Sequence, residues 1–287
     1  MILDKIVEFT KDRLENKKNN FPFEDLKNEI NSKLGQCSHN NHNHNNNFKE
    51  ALKTNEISFI CEVKKASPSK GVICEDFDPV KIAKDYENAG AAAISVLTEP
   101  KFFKGNDKYL SEVVNAVNLP ILRKDFIIDE YMIYEAKLLG ASAVLLIVSI
   151  LDKEDLENFI DLSYKLEMCP LVEIHTKKEL EIAVNCGTRV IGVNNRNLKD
   201  FTVDIKNSLN LRKYLEEYLE NYLEECLQKN ISHNHDDEII FVSESGIKTP
   251  EDIKVLNDNK VDAVLIGESL MKSDNKKLAI DNLKSLI

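Results

Sequence analysis

DEYMIYEAKLLG (129–140) runs directly into ASAVLLIV (141–148). A helix-type segment that stops on glycine and leads into an unbroken apolar run reads as a helix feeding a parallel strand buried on both faces. The same unit recurs on both sides. VKIAKDYENAG closes on Gly90 ahead of AAAISVLT (91–98), behind an Asp78-Pro79 pair that suits an N-cap and a first helical turn. A further copy opens at Thr176, with Glu179 completing a capping box, ends at Gly187 and leads into TRVIGV.

Apolar runs bounded by turn residues predict eight strands, near 57–63, 92–97, 120–124, 143–148, 170–174, 189–194, 238–243 and 262–266. Helical patterns separate nearly all of them. The fold class that follows is α/β, a closed (β/α)8 TIM barrel with an N-terminal helical extension. An open doubly wound sheet ranks second, because no G-x-G-x-x-G follows the first strand. The expected organisation is one barrel domain over 1–287. Residues 1–48 form the extension and carry an Asn/His-rich tract (38–47), and 208–237 is an insertion before the seventh strand.

The extension predicts two helices over 3–34, broken near Asn20 to Pro22, with Phe23, Leu26, Ile30 and Leu34 as an apolar stripe. In the tract that follows, Cys37, His39, His42 and His44 have metal-ligand chemistry. An asparagine-dominated segment offers no scaffold to fix coordination geometry, so no metal is expected there. The insertion repeats Tyr214/Leu215, Tyr218/Leu219, Tyr222/Leu223 and Cys226/Leu227 every four residues, an amphipathic helix expected to pack on the outside of the barrel.

Charge and cysteine content exclude several function classes. With 38 basic and 49 acidic residues the net charge is -11, which disfavours a nucleic-acid backbone as partner. No stretch approaches membrane-spanning length and no secretory apolar run opens the chain. Six cysteines scattered without metal-type pairing read as reduced thiols in a cytoplasmic protein.

Chemistry in a barrel of this kind collects at the C-terminal strand ends. In the first strand, ISFICEVKKASPSKGV (57–72), strict alternation puts Phe59, Cys61 and Val63 on one face and Ile60, Glu62 and Lys64 on the other. The third strand, PILRKDF, sets Leu122, Lys124 and Phe126 on one face. The second ends in Thr98-Glu99-Pro100 with Phe102 and Phe103 beyond, the fifth with Glu173, the sixth with Asn194 and Arg196, the seventh with Glu244, Ser245 and Gly246, and the eighth with Gly267, Glu268 and Ser269. A single charged strand end is ordinarily a solvated rim residue. Seven polar ends aimed at one opening are different, because buried lysines and carboxylates must pair and, in pairing, move one another's proton affinities. Glycines after the last two strands expose backbone N–H groups suited to a phosphate.

With EVKKASPSKG, SVLTEPKFF, LRKDFI, PLVEIH, GVNNRNL, SESGI and LIGESLM in order, the chain resembles the indole-3-glycerol-phosphate synthase family over nearly its whole length. The resemblance implies closure of 1-(2-carboxyphenylamino)-1-deoxyribulose 5-phosphate to indole-3-glycerol phosphate with loss of CO₂ and water. No metal or organic cofactor is implied, and the only partner is a small phosphorylated substrate, with the chain a monomer or weak homodimer. It also implies that Lys124 acts as general acid on the ketone and that Lys64 holds the substrate carboxylate. Glu62 and Glu173 would move protons, with Asn194 tying them to the substrate. Ser67, Phe103, Phe126, Arg196 and Glu244 would shape the substrate pocket. Ser245, Gly246, Gly267 and Glu268 would hold the phosphate, Ser245 being counted with the catalytic group. The alternatives are phosphoribosylanthranilate isomerase, for which a cysteine and aspartate pair would be expected where Glu62 and Lys64 stand, and an inactive phosphate-binding scaffold, from which a lysine or glutamate would be missing.

Overall fold

Eight short strands, each buried throughout or nearly so, alternate with helices in the computed structural model, which describes residues 2–36, 47–197, 200–228 and 238–287. The strands are β1 (Ser58–Val63), β2 (Ala93–Leu97), β3 (Ile121–Lys124), β4 (Ala143–Ile147), β5 (Cys169–Ile174), β6 (Val190–Asn194), β7 (Ile240–Glu244) and β8 (Ala263–Ile266). Each pairs in parallel with its successor and β8 returns to β1, so the sheet closes into a barrel and has no free edge. The open-sheet alternative is thereby excluded.

Two helices precede the barrel, α1 (Ile2–Asn20) and α2 (Phe23–Gln36), and the chain breaks between them where expected. Leu26 and Ile30 of the expected stripe are buried. A third, α3 (Phe48–Leu52), enters the barrel from below. Its Phe48 and Leu52 join the interior cluster of Ile60, Ala93, Leu122 and Leu171, and Ser58 donates its hydroxyl to the carbonyl of Leu52. The Cys37, His39, His42 and His44 group lies outside the described residues.

The outer layer begins with α4 (Pro79–Asn88), α5 (Asp107–Val114) and α6 (Glu130–Leu138), and continues with α7 (Lys153–Lys165) and α8 (Lys177–Asn185). Then follow α9 (Lys206–Gln228), α10 (Pro250–Asp258), the short α11 (Glu268–Lys272) and α12 (Lys276–Leu283). Sequence start signals hold in detail. Asp78 accepts from the Lys81 N–H at 3.0 Å with Pro79 at the first position, and Thr176 and Glu179 form the reciprocal capping box. Gly140 takes φ +87°, a left-handed conformation that lets the chain leave α6 and enter β4 at once.

Strand alternation sorts the core. Phe59, Cys61 and Val63 face the helices while Ile60 faces the barrel axis, as the period of two requires. The stretch beginning at 208, expected as an insertion, starts inside α9, and α9 is itself the helix linking β6 to β7. Leu211 and Leu215 are buried, and Tyr214 and Tyr218 donate their hydroxyls to Glu181 and Asn185 of α8. Tyr222, Leu223, Cys226 and Leu227 belong to the part of this helix whose side chains are outside the described set.

Candidate active site

Four side chains from the four odd-numbered strands meet at the top of the barrel: Glu62 from β1, Lys124 from β3, Glu173 from β5 and Glu244 from β7. Alternate strands of an eight-stranded barrel fill a common layer, and here that layer is charged throughout. Lys124 Nζ lies 3.0 Å from Glu173 Oε2 and 2.8 Å from Glu244 Oε2, and Lys64 is ion-paired with Glu62. Asn194 donates its amide to Glu173 Oε1 at 3.2 Å, while its own oxygen accepts the N–H of Arg196 at 3.0 Å.

Room for these groups is made by glycine. At Gly192 in β6, a Cβ would overlap the Glu244 carboxylate and come within 2.8 Å of Leu171. At Gly267, just ahead of α11, it would overlap Glu62 and stand 2.9 Å from Lys64 Nζ. Both backbones therefore pass against the charged layer, and no larger residue fits without moving it.

The electrostatics follow from burial and neighbours. Burial opposes the Lys124 charge, yet Glu244, Glu173 and Glu62 outweigh it and leave the ammonium far more firmly protonated than an ordinary lysine. Burial also pushes against ionised Glu173, but Lys124, His175 and two side-chain hydrogen bonds hold it below the usual carboxylate range. Glu244 goes the other way. Burial, with Glu173 and Glu62 nearby, pushes it up to about 7 despite its contact with Lys124. Two carboxyls on one lysine thus differ in proton affinity, the division of labour that acid–base catalysis uses.

All these groups open onto one cavity of about 660 Å³, lined also by Ser67, Phe103, Phe126 and Arg196 and, opposite, by Ser245, Gly246, Gly267 and Glu268. The sequence-derived residues are therefore all brought to one mouth. Phe103 and Phe126 face each other with ring centroids 5.9 Å apart, forming an apolar wall. Ser67 sits in a small hairpin, Ala66–Ser67 against Gly71–Val72, that arches over the opening. Ser245 and Gly246 both take positive φ, +67° and +87°, and a Cβ on Gly246 would overlap Val203. Gly246 lies four residues ahead of α10, whereas Gly267 caps α11 directly, so a helix N-terminus backs only the second glycine. Glu268 turns its carboxylate to Lys272, 2.6 Å away, leaving its backbone toward the mouth.

Several supporting residues were not foreseen. Ile2, Leu3 and Ile6 of α1 line the cavity, and Arg13 of the same helix contacts Asp125 at 2.9 Å. Asp125 follows Lys124 and also accepts from the Thr98 hydroxyl at 2.6 Å. Arg123, fully buried on the helix side of β3, donates to Asp107 at 2.8 Å, Glu135 at 2.6 Å and the Met132 carbonyl at 3.0 Å. Glu99, also fully buried, takes the N–H groups of Lys101, Phe102 and Phe103 and so fixes the loop carrying the aromatic wall. In the sequence, Thr98 and Glu99 stand among the polar strand ends and RKD closes β3, but neither run shows the partners that join them into a network.

The family model described as indole-3-glycerol phosphate synthase matches residues 3–283. The chain is 50% identical to the indole-3-glycerol phosphate synthase of Lachnoclostridium phytofermentans, over the full length of both. It is also 50% identical to that of Thermoanaerobacter pseudethanolicus, over 95% of this chain and 93% of the relative. Among solved structures, N-acetylmannosamine-6-phosphate 2-epimerase from Clostridium perfringens aligns with TM-score 0.56 at 14% identity, covering 87% of this chain and 99% of that one. Thiamine phosphate pyrophosphorylase from Pyrococcus furiosus aligns with TM-score 0.55 at 12% identity, covering 84% and 97%. At these identities the two likenesses show the fold alone.

Proposed function

The chain belongs to the indole-3-glycerol phosphate synthase family, and from that premise we propose how its own residues carry the reaction. The activity is a decarboxylating ring closure in tryptophan biosynthesis: 1-(2-carboxyphenylamino)-1-deoxyribulose 5-phosphate becomes indole-3-glycerol phosphate, with release of CO₂ and water. The observation that carries the residue assignment is Lys124 held between Glu173 and Glu244, at 3.0 and 2.8 Å, inside the cavity that also presents Lys64 and the glycine loops.

The substrate has a phosphate at one end and an aromatic carboxylate at the other. Ser245, Gly246, Gly267 and the Glu268 backbone receive the phosphate, and Lys64 faces the carboxylate. Ser67, Arg196 and the Phe103/Phe126 wall set the ring against the ketone carbon, a positioning task. As the ring carbon attacks, its electron pair forms the new carbon–carbon bond and the ketone oxygen takes a proton from Lys124. The carbon–carboxylate bond then breaks, CO₂ departs, and the ring regains aromaticity. In the last step the hydroxyl leaves as water on a proton from Lys64. A carboxylate, Glu173 or Glu62, takes a proton from the ring CH₂ beside the nitrogen, whose C–H electron pair becomes the indole C=C bond as the hydroxyl departs, and Asn194 orients Glu173 for it.

The firm protonation of Lys124 suits a donor that must stay charged until the oxyanion forms beside it. Among the described residues the thiols of Cys61, Cys74, Cys169 and Cys186 are free, which fits a reducing cytoplasm. The test is to mix purified protein with the substrate and follow indole fluorescence. Lys124→Ala is expected to lower kcat by ~10²–10⁴-fold, the usual worth of a positioned proton donor. An unchanged kcat would overturn the assignment.

A further inference from the structure

His175 belongs to no step above, yet its geometry ties it to the charged layer. It lies two residues beyond Glu173 in the run that leaves β5, on the same side by strand alternation. Its Nε2 is buried, has no hydrogen-bond partner among the described residues, and stands 3.8 Å from Glu173 Oε1. Its Nδ1 is 3.7 Å from Glu179 Oε2, and that same oxygen accepts the backbone N–H of His175 at 2.6 Å. The ring is thus fixed between a carboxylate of the catalytic layer and the capping carboxylate of α8. From α9, the uncharged Asn207 reaches only the His175 carbonyl, at 3.2 Å.

We propose that His175 is a positioning residue: as an imidazolium it keeps Glu173 ionised, so that a proton taken up by the two carboxyls flanking Lys124 resides on Glu244. The inference rests on the assignment of Glu173 as a carboxylate that removes a proton in the reaction. Within the charged layer, the carboxylates Glu62, Glu173 and Glu244 pair with two lysines, Lys64 and Lys124. One positive charge on His175 and one proton on Glu244 are compatible with each other, because the imidazolium lies against Glu173. Glu244 Oε1 is buried without a partner among the described residues and provides a place for that proton. The groups acting on the ring agree: burial opposes its charge, but Glu179, Glu173 and Glu244 outweigh it and raise its proton affinity above that of an ordinary histidine.

The test pairs kinetics with direct titration. In His175→Gln, which keeps a polar side chain without the charge, the acid limb of the kcat–pH profile should move up by roughly one pH unit, the least that removing an opposite charge this close to a carboxylate produces. His175→Lys should restore the limb. A superimposable His175→Gln profile overturns the proposal. Glu173→Gln, assayed in parallel, separates the two readings: if it too is fully active, the site assignment falls, and if it is inactive while His175→Gln is unaffected, only the role of His175 falls. Independently of catalysis, the imidazole carbon resonance of His175 can be followed by NMR in the wild-type chain. A midpoint above the ordinary ~6.5 supports the proposal, and one at or below it overturns it.

Discussion

Replacing Glu244 by glutamine is expected to make the protein more stable and less active, and the stability gain should grow with pH. The carboxyl is buried, touches Lys124 at 2.8 Å, and has Glu173 and Glu62 for neighbours. Its proton affinity rises from the ordinary 4.5 to about 7. Each pH unit of displacement corresponds to about 1.4 kcal/mol, so the ionised carboxyl costs the folded chain about 3 kcal/mol. Because the folded state binds the proton more tightly than the unfolded chain, this contribution to stability is complete below pH 4.5. It is lost as pH rises through 7. Glutamine has the same shape and no charge, so it escapes that loss, while Lys124 keeps Glu173 at 3.0 Å. That cost already includes the attraction of Lys124, so the expected gain at alkaline pH is the same ~3 kcal/mol. At about 2–4 °C per kcal/mol for a chain of this size, Tm should exceed wild type by roughly 6–12 °C at pH 8.5 and by almost nothing at about pH 4. Thermal unfolding at the two pH values, with kcat measured on the same samples, is the assay. A Tm difference that ignores pH would refute the reasoning.

Gly192→Ala should lower kcat more than it changes KM, because the added methyl meets the Glu244 carboxylate and Leu171 rather than the substrate; steady-state kinetics on a folded variant would show it. Arg123→Met leaves Asp107 and Glu135 short of a buried cation and should destabilise the chain by ~3–5 kcal/mol, read by denaturant midpoint. Glu99→Gln takes away the negative charge that holds three loop N–H groups. It should raise KM through the Phe103 wall while leaving the acid limb of the pH profile in place.

The barrel was readable because each of its units repeats a local rule. Apolar runs mark buried strands, Gly90, Gly140 and Gly187 mark helix ends, and period-two alternation sends Lys124 inward and Arg123 outward. The site residues were readable because they stand at strand ends, where the closed topology brings them together. Contacts between distant segments obey no such rule. Arg13 meets Asp125 across 112 positions of chain, and nothing near Arg13 announces it. Gly192 looked like an ordinary strand residue until Glu244, on the neighbouring strand, was seen to need its empty side. His175 stands in PLVEIH with nothing beside it in sequence that gives it a role, since only the packing of α8 against β5 shows what surrounds it.

Phe48 and Leu52 stopper the barrel from beneath, both almost wholly removed from solvent. Their ring and methyl groups fill the base of the barrel with apolar packing. Carbon dioxide set free above them is expected to leave, with the water and the indole product, through the mouth by which the substrate enters. The loops that shape that mouth therefore bear on the departure of the gas as well as on the turnover of the sugar phosphate.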